Sequence, residues 1–251
     1  MINMESKNIV VFDLETTGLD RTKDQIIQIS MIKVEPENFN IIDTYDKFVQ
    51  PVGNYSIGMA AYFKHGITAE FLKDKPYLKD IAQEIVEFFS DCDVLGYNSN
   101  RFDIPFLKCE LNKYGYDIDF TIRNCYDAFK EESRRNGNTL EQAFERYVGH
   151  SMIEEGLQAH NALSDIQATI TVFKHQNKIN KVQPEIMYGE DGVITDMEFR
   201  GEIKPCFTLG KYRQLSIEFV AALDQNYLKW CVSDKCSFID STKNFIKQYI
   251  K

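Results

Sequence analysis

Asp13-Leu14-Glu15 closes a short apolar run, Ile9-Val10-Val11-Phe12. On a strand, residues i and i+2 project from one face, so the two carboxylates leave the strand end together. Paired oxygens of this kind suit a hard divalent cation. The spacing alone is common: Glu35-Pro-Glu37, Asp117-Ile-Asp119 and Asp196-Met-Glu198 share it, and a solvated strand face explains those pairs. Context separates the first pair. Its strand is apolar enough to be buried, and two charges at its end are costly unless a cation or partners compensate them. Thr16-Thr17-Gly18 follows, a turn that gathers hydroxyls and backbone N–H groups near the same point. Asp103 falls at an expected strand-to-helix junction, where the plain reading is an N-cap and a metal ligand is compatible with it. His160 and Asp165 open the last long helical pattern. An i, i+5 pair spans about 140° of helix rotation and does not share a face. His160 therefore belongs to the loop or cap, with Asp165 pointing inward from the first turns. Here too the spacing is not distinctive, since His65 with Glu70 and His150 with Glu155 repeat it.

The elements that must position these groups follow from hydrophobic periodicity. Residues 9–13, 26–34 and 41–49 are β-leaning runs, the last two joined through Asn38-Phe39-Asn40 as a hairpin. Leu78, Ile81, Ile85, Phe88 and Phe89 recur at helical spacing. Residues 94–97 form a further strand candidate. Ile104, Leu107, Leu111 and Tyr114 give a helix that tolerates Pro105 in its first turn. Residues 122–126 form a short strand, and Leu140, Ala143, Phe144 and Tyr147 a helix ending near Gly149. Ala162, Ile166, Ile170 and Phe173 mark a helix over residues 162–175. Strands followed by alternating strands and helices predict an α/β layered fold with a mixed central sheet. Residues 179–199, with Pro184, Gly189 and Gly192, break the pattern and are expected to link residues 1–178 to a small, mostly helical module over residues 200–251. One strand-like run and three short helical runs are expected in that module.

Composition bounds the function classes. The 251 residues carry 29 basic and 38 acidic side chains, net −9, which does not suggest a general basic-patch nucleic-acid binder. The excess acid lies within residues 1–178, with 19 basic and 28 acidic groups; residues 179–251 carry 10 of each. Acid gathered around divalent ions is neutralised locally, so a polyanionic substrate stays admissible. No apolar run approaches the roughly 18 residues of a membrane helix, and residues 1–7 show no leader pattern. The six Cys have no metal-ligand spacing and are expected as reduced, buried thiols. A cytoplasmic protein is expected on these grounds.

Asp13, Glu15, Asp103, His160 and Asp165, in that order, resemble the DEDDh branch of the DnaQ-like 3′–5′ exonucleases, a family with a ribonuclease H-like three-layer fold. The motifs are Val11-Phe12-Asp13-Leu14-Glu15-Thr16-Thr17-Gly18-Leu19, Gly96-Tyr97-Asn98-Ser99-Asn100-Arg101-Phe102-Asp103, and residues 160–165. His65-Gly66-Ile67-Thr68 and Tyr126-Asp127 also match, and the resemblance spans about residues 8–176. It implies two divalent ions, Mg²⁺ with Mn²⁺ as alternative, and hydrolysis that releases nucleoside 5′-monophosphates. Asp13 would bridge both ions, Glu15 and Asp165 would complete the one that binds water, Asp103 would support the second, and His160 would be the general base. Thr16, Thr17, Gly18, Leu19, His65, Asn98 and Phe102 are the implied substrate-binding residues. Leu19 would wedge against the terminal base. Phe63 and Phe102 are read mainly as core.

The second motif departs from the family pattern, with Tyr97 where many members have His and three residues between Asn98 and Phe102. Its Arg-Phe-Asp ending is similar to that of repair-type members. Phe207-Thr208-Leu209-Gly210-Lys211-Tyr212 and Tyr227-Leu228-Lys229-Trp230 resemble the C-terminal module of exonuclease X-like proteins, with Tyr227 and Trp230 read as core of that module. The favoured partner is the 3′ end of single-stranded DNA. An RNA-trimming enzyme of the same branch and a non-catalytic nucleic-acid-binding protein are the rivals. Association with a polymerase or repair complex is left open.

Overall fold

The computed structural model describes residues 7–133, 135–180, 182, 184 and 193–251. Five strands form one mixed sheet in the order β3-β2-β1-β4-β5. They are β1 (Ile9–Thr16), β2 (Ile26–Val34), β3 (Ile41–Phe48), β4 (Asp93–Gly96) and β5 (Cys125–Asp127). β1 pairs antiparallel with β2 and parallel with β4, so it is the central strand. The β2–β3 hairpin expected from sequence forms, and Phe39 turns the chain at φ 57° while its ring packs edge-on to Phe173.

Alternation along β1 sets up the whole molecule. Val10, Phe12 and Leu14 enter one core with Ile81, Ile85, Ile104 and Phe106. Ile9 and Val11 enter the other with Phe144, Ile166 and Phe173. Helices therefore cover both faces: α3 (Leu78–Phe88) and α4 (Asp103–Asn112) on one side, α6 (Leu140–Val148) and α7 (Ala162–Asn180) on the other. This is the expected three-layer α/β arrangement. The short helices α1 (Met59–His65), α2 (Ala69–Leu72) and α5 (Phe129–Glu132) complete the domain. None of these three was visible as a periodic pattern. α1 buries no side chain, so it leaves no apolar stripe to detect.

Several expectations are corrected. The short strand is Cys125–Asp127 rather than residues 122–126, because Ile122 is exposed in the turn before it. Asp103 is not an N-cap: Phe102 takes that position and Asp103 is the first helical residue. Phe63 is not core but 77% exposed on α1.

The C-terminal module has a hydrophobic cluster of its own, including Val193, Phe207, Ile217, Leu228 and Ile246. It holds two strands, β6 (Ile194–Phe199) and β7 (Glu202–Phe207), then α8 (Ile217–Leu223), α9 (Gln225–Cys231) and α10 (Asp240–Lys247). The second strand was not expected. Arg200 and Gly201 form the turn with φ 54° and 84°, the two-residue geometry that matches strand twist, although Arg is not a residue that signals it. β6 begins inside the stretch read as linker, while Gly189 and Gly192 lie outside the described residues. Trp230 is not core either. It is 46% exposed and tilts against the half-buried Tyr227.

Candidate active site

Asp13 and Glu15 continue the series that Ile9 and Val11 begin, so they face α7. That face brings Asp165, in the first turn of α7, up to both of them. One carboxylate oxygen from each of Asp13, Glu15 and Asp165 lies within 4.8 Å of the others. The β1–β2 register is Asp13 opposite Ser30 and Glu15 opposite Gln28, and it shifts just after Glu15. The irregularity ends regular pairing at the site, a common use of a bulge. Asp103 approaches from α4, on the opposite face of the sheet. It is buried, and its Oδ1 accepts a hydrogen bond of 3.1 Å from the Leu14 N–H. This contact ties the start of α4 to the strand between the two acids.

The cluster is electrostatically strained. Burial raises Asp13 well above the ordinary carboxylate range, and Asp103, Glu15 and Asp165 push it further. Glu15 is pushed up to about 8 by burial and then by Asp165, with Lys64 on α1 opposing. Asp165 is pushed up to about 7 by burial and then by Glu141. Burial also raises Asp103, although the N–H of Leu14 pulls the other way. An all-oxygen donor set that resists ionising on its own fits a hard divalent cation, which would favour the charged forms.

His160 occupies the left-handed region at φ 61°, two residues before α7. Its backbone N–H donates to Asp165 Oδ2 at 3.1 Å, and its half-exposed imidazole has Nε2 3.6 Å from a Glu141 carboxylate oxygen. The loop-and-first-turn arrangement expected from the spacing is therefore present. Glu141 was not anticipated. Its surroundings signal only a helix start, with Thr139 and Gln142 as a reciprocal cap. Lys64 also escaped notice, since a lone lysine at a helix end carries no motif.

The turn after β1 is rigid. Thr16 Oγ1 donates to the Gly18 carbonyl at 2.6 Å, and Thr17 Oγ1 donates to Asp24 at 2.9 Å. A Cβ on Gly18 would lie 2.5 Å from the Asp24 carboxylate, so a larger residue would displace that side chain from Thr17 and the Asp20 N–H. Leu19, next in the chain, is 82% exposed. His65 lies beside this turn, its Nδ1 accepting from the Ile67 N–H at 3.0 Å. Burial pulls it below the usual imidazole range, against the Thr16 carbonyl. Asn98 has φ 62°, and its N–H donates to Asp127 at 2.7 Å. Asp127 also accepts from the N–H groups of Asn100 and Phe129, so β5 fixes the loop that leads to Asp103. Tyr97, in place of the family His, donates to the Asn138 carbonyl at 2.6 Å and braces the segment before α6. Phe102 is partly buried against the core and packs 5.5 Å from Phe106.

The sheet order, the flanking helices and the acid cluster define an exonuclease of the DnaQ-like class. The model of the family described as Exonuclease matches residues 10–173, and the chain belongs to that family. It is 29% identical over 196 residues to DNA polymerase III PolC-type of Caldanaerobacter subterraneus subsp. tengcongensis, covering 75% of this chain and 13% of that protein. Against DNA polymerase III subunit epsilon of Rickettsia conorii it is 36% identical over 115 residues, 43% of this chain and 46% of that one. The chain thus spans a small part of the PolC-type relatives it matches. E. coli exonuclease I in complex with a dA16 oligonucleotide shares the fold at a TM-score of 0.57 and 22% identity, over 69% of this chain and 41% of that chain. A zinc-bound exonuclease I complex with single-stranded DNA superposes with a TM-score of 0.58 at 22% identity, over 70% and 41% of the two chains.

Proposed function

We propose that this chain is a metal-dependent 3′–5′ exonuclease of the histidine branch that shortens single-stranded DNA and releases nucleoside 5′-monophosphates. The observation that carries the reading is the meeting of Asp13, Glu15 and Asp165 within 4.8 Å, with His160 bonded to the last of them. Asp13, Glu15 and Asp165, supported by Asp103, would hold two divalent ions, Mg²⁺ or Mn²⁺. Ions held there supply Lewis acidity to a water and to the scissile phosphate. His160 takes the proton from the attacking water as general base. Glu141, 3.6 Å from Nε2, steadies the imidazolium that results. The rigid turn at residues 16–18 offers backbone groups to the terminal nucleotide, and the exposed Leu19 stands beside it as the wedge. His65 steadies that turn, and Asn98 and Phe102 border the cleft from the loop before α4.

DNA is favoured because the relatives named above are a DNA polymerase III of PolC type and a DNA polymerase III subunit epsilon, and the structural neighbour holds a dA16 oligonucleotide. The tail is read as an exonuclease X-like module on its Gly210-Lys211-Tyr212 turn and Trp230. Six free thiols suit a reducing compartment, the cytoplasm, and none of the described helices is long and apolar enough to cross a membrane. The test is digestion of 5′-labelled single-stranded DNA, duplex DNA and RNA of one sequence with Mg²⁺, with chelator, and with Asp13→Ala. The expected result is a 3′-shortening ladder on single-stranded DNA that chelator and Asp13→Ala both abolish. Full activity in excess chelator overturns the reading, and preference for RNA overturns the substrate.

A further inference from the structure

A groove of about 440 Å³ lies between the turn after β1, the start of α4 and the C-terminal module. Its walls come from three segments: residues 19–22 after the Thr16 turn, Arg101 with Phe102 and Phe106 at the start of α4, and Thr208 with Leu209 after β7. Two of these residues, Leu19 and Phe102, also border the proposed active site. Phe102 immediately precedes Asp103 in the chain, so one wall of the groove and one of the carboxylates share the start of α4.

The chemistry of the walls is that of a single-strand channel. Leu19 is 82% and Leu209 44% exposed, so two apolar side chains of different modules stand open to solvent at the groove. Arg21 and Arg101 bring two guanidinium groups, and Asp20 is the one acid among the lining residues. That acid is already engaged by Lys23 at 2.9 Å and by the N–H and hydroxyl of Thr22. The groove is therefore positive in a catalytic domain that carries the whole excess of acid. Both sides are also built in advance. Cys109 Sγ holds the Arg21 carbonyl at 3.2 Å, and the Thr208 N–H donates to the Val193 carbonyl at 2.8 Å. Gly210 has φ 81°, and a Cβ there would meet the Tyr227 hydroxyl at 2.9 Å. Elsewhere in the module Lys204 pairs with Glu202 and Glu218, and Lys211 with Asp224.

We infer that this groove is a subsite for a nucleotide upstream of the scissile 3′ end, with the C-terminal module supplying one wall of it. Arg101 and Arg21 contact phosphate, while Leu209 and Phe102 flank the base. Single-strand sites combine a cationic track with flat apolar surfaces in this way. The inference deepens the exonuclease reading and rests on it.

The test measures anisotropy of 5′-fluorescein dT15 with the full chain in chelator, so that no cleavage intervenes. Leu209→Ser should weaken binding at least about fivefold, the low end for one lost base contact, and Arg101→Ala should weaken it through a lost phosphate contact. Arg101→Ala should also flatten the log–log salt slope by about 0.7, one phosphate of a single strand. Lys247→Glu, on α10 and outside the groove, should change neither. Equal losses for Lys247→Glu and Arg101→Ala overturn the subsite in favour of diffuse charge. A second measurement needs no variant. Photo-cross-linking of the unaltered chain to oligonucleotides carrying 4-thiothymidine two to four positions from the 3′ end should label peptides spanning residues 19–22, 101–106 or 208–209. Cross-links confined to other peptides overturn the inference. Hydrolysis of thymidine 5′-(p-nitrophenyl phosphate) with Mn²⁺ reports the metal centre alone. Its absence from the unaltered chain defeats the exonuclease reading, whereas its presence with unaltered Leu209→Ser and Arg101→Ala affinities defeats only the groove.

Discussion

Glu15→Gln should make the metal-free protein more stable at alkaline pH and leave it unchanged at acid pH. In the fold, Glu15 keeps its proton up to about pH 8, whereas its ordinary value is 4.5. Between those values the folded state binds a proton that the unfolded chain has released, so stability falls as pH rises. The gap is worth at most about 5 kcal/mol at roughly 1.4 kcal/mol per unit of pKa. Burial is the larger cause and acts whatever the neighbours do, which leaves about 2.5 kcal/mol as a working minimum. For a chain of this size each kcal/mol moves the melting temperature by about 2–4 °C. Glu15→Gln, which keeps the shape and removes the charge, should therefore melt about 5–20 °C above the parent at pH 8.5 in chelator. The two should coincide at pH 4.5. Scanning calorimetry at half-unit pH steps gives both curves. Excess Mg²⁺ or Mn²⁺ at pH 8.5 should raise the parent more than the variant, because the cation binds only the fold. If the two proteins melt together across the whole range in chelator, burial and the neighbouring Asp165 do not hold the proton on Glu15 as the structure implies.

His160→Ala should lower turnover by about 10² to 10⁴ while calorimetry still finds metal binding; His65→Ala, His150→Ala and His175→Ala should affect the chemical step far less, and a crippling His150→Ala would mean that the third motif is misassigned. Glu141→Gln should lower the pKa of Asp165, now about 7 with Glu141 as its chief charged cause. Mn²⁺ should then bind the variant more tightly than the parent at pH 6.5 and equally at pH 8.5 by titration calorimetry, and an unchanged ratio at the two pH values would refute the coupling. Glu132 is fully buried and meets Arg146, Tyr147 and Gln176. Glu132→Ala should cost about 3–5 kcal/mol in guanidinium unfolding, the usual penalty for breaking a buried ion pair from one side.

The acid pair and its helical partner were legible because each motif coincides with an element whose direction follows from periodicity. Val10, Phe12 and Leu14 alternate with Val11 and Asp13, so the facing of the acids could be read from the strand alone. What could not be read is what depends on exposure or on contacts distant in sequence. Phe63 and Trp230 look like core by type, yet both are open to solvent. Glu141 reaches His160 only because α6 packs beside α7, and no local pattern encodes that meeting. Arg200-Gly201 makes a hairpin without the usual turn residues because the facing strands of the tail impose it. The groove walls come from residues nearly 190 positions apart, 19–22 and 208–209, and only the folded chain brings them together.

β1 lies at the middle of a five-stranded sheet, paired with β2 along its length and with β4 over residues 9–11, whereas His160 sits in an exposed loop. Strand amides there should exchange with solvent deuterium only through global opening, while the loop exchanges through local fluctuations. The strand that carries Asp13 and Glu15 and the loop proposed to hold the proton acceptor therefore belong to regions of different protection. In intermediate urea the loop would open first. Cation binding would outlast turnover, and loss of activity would measure the opening of one loop rather than the collapse of the sheet.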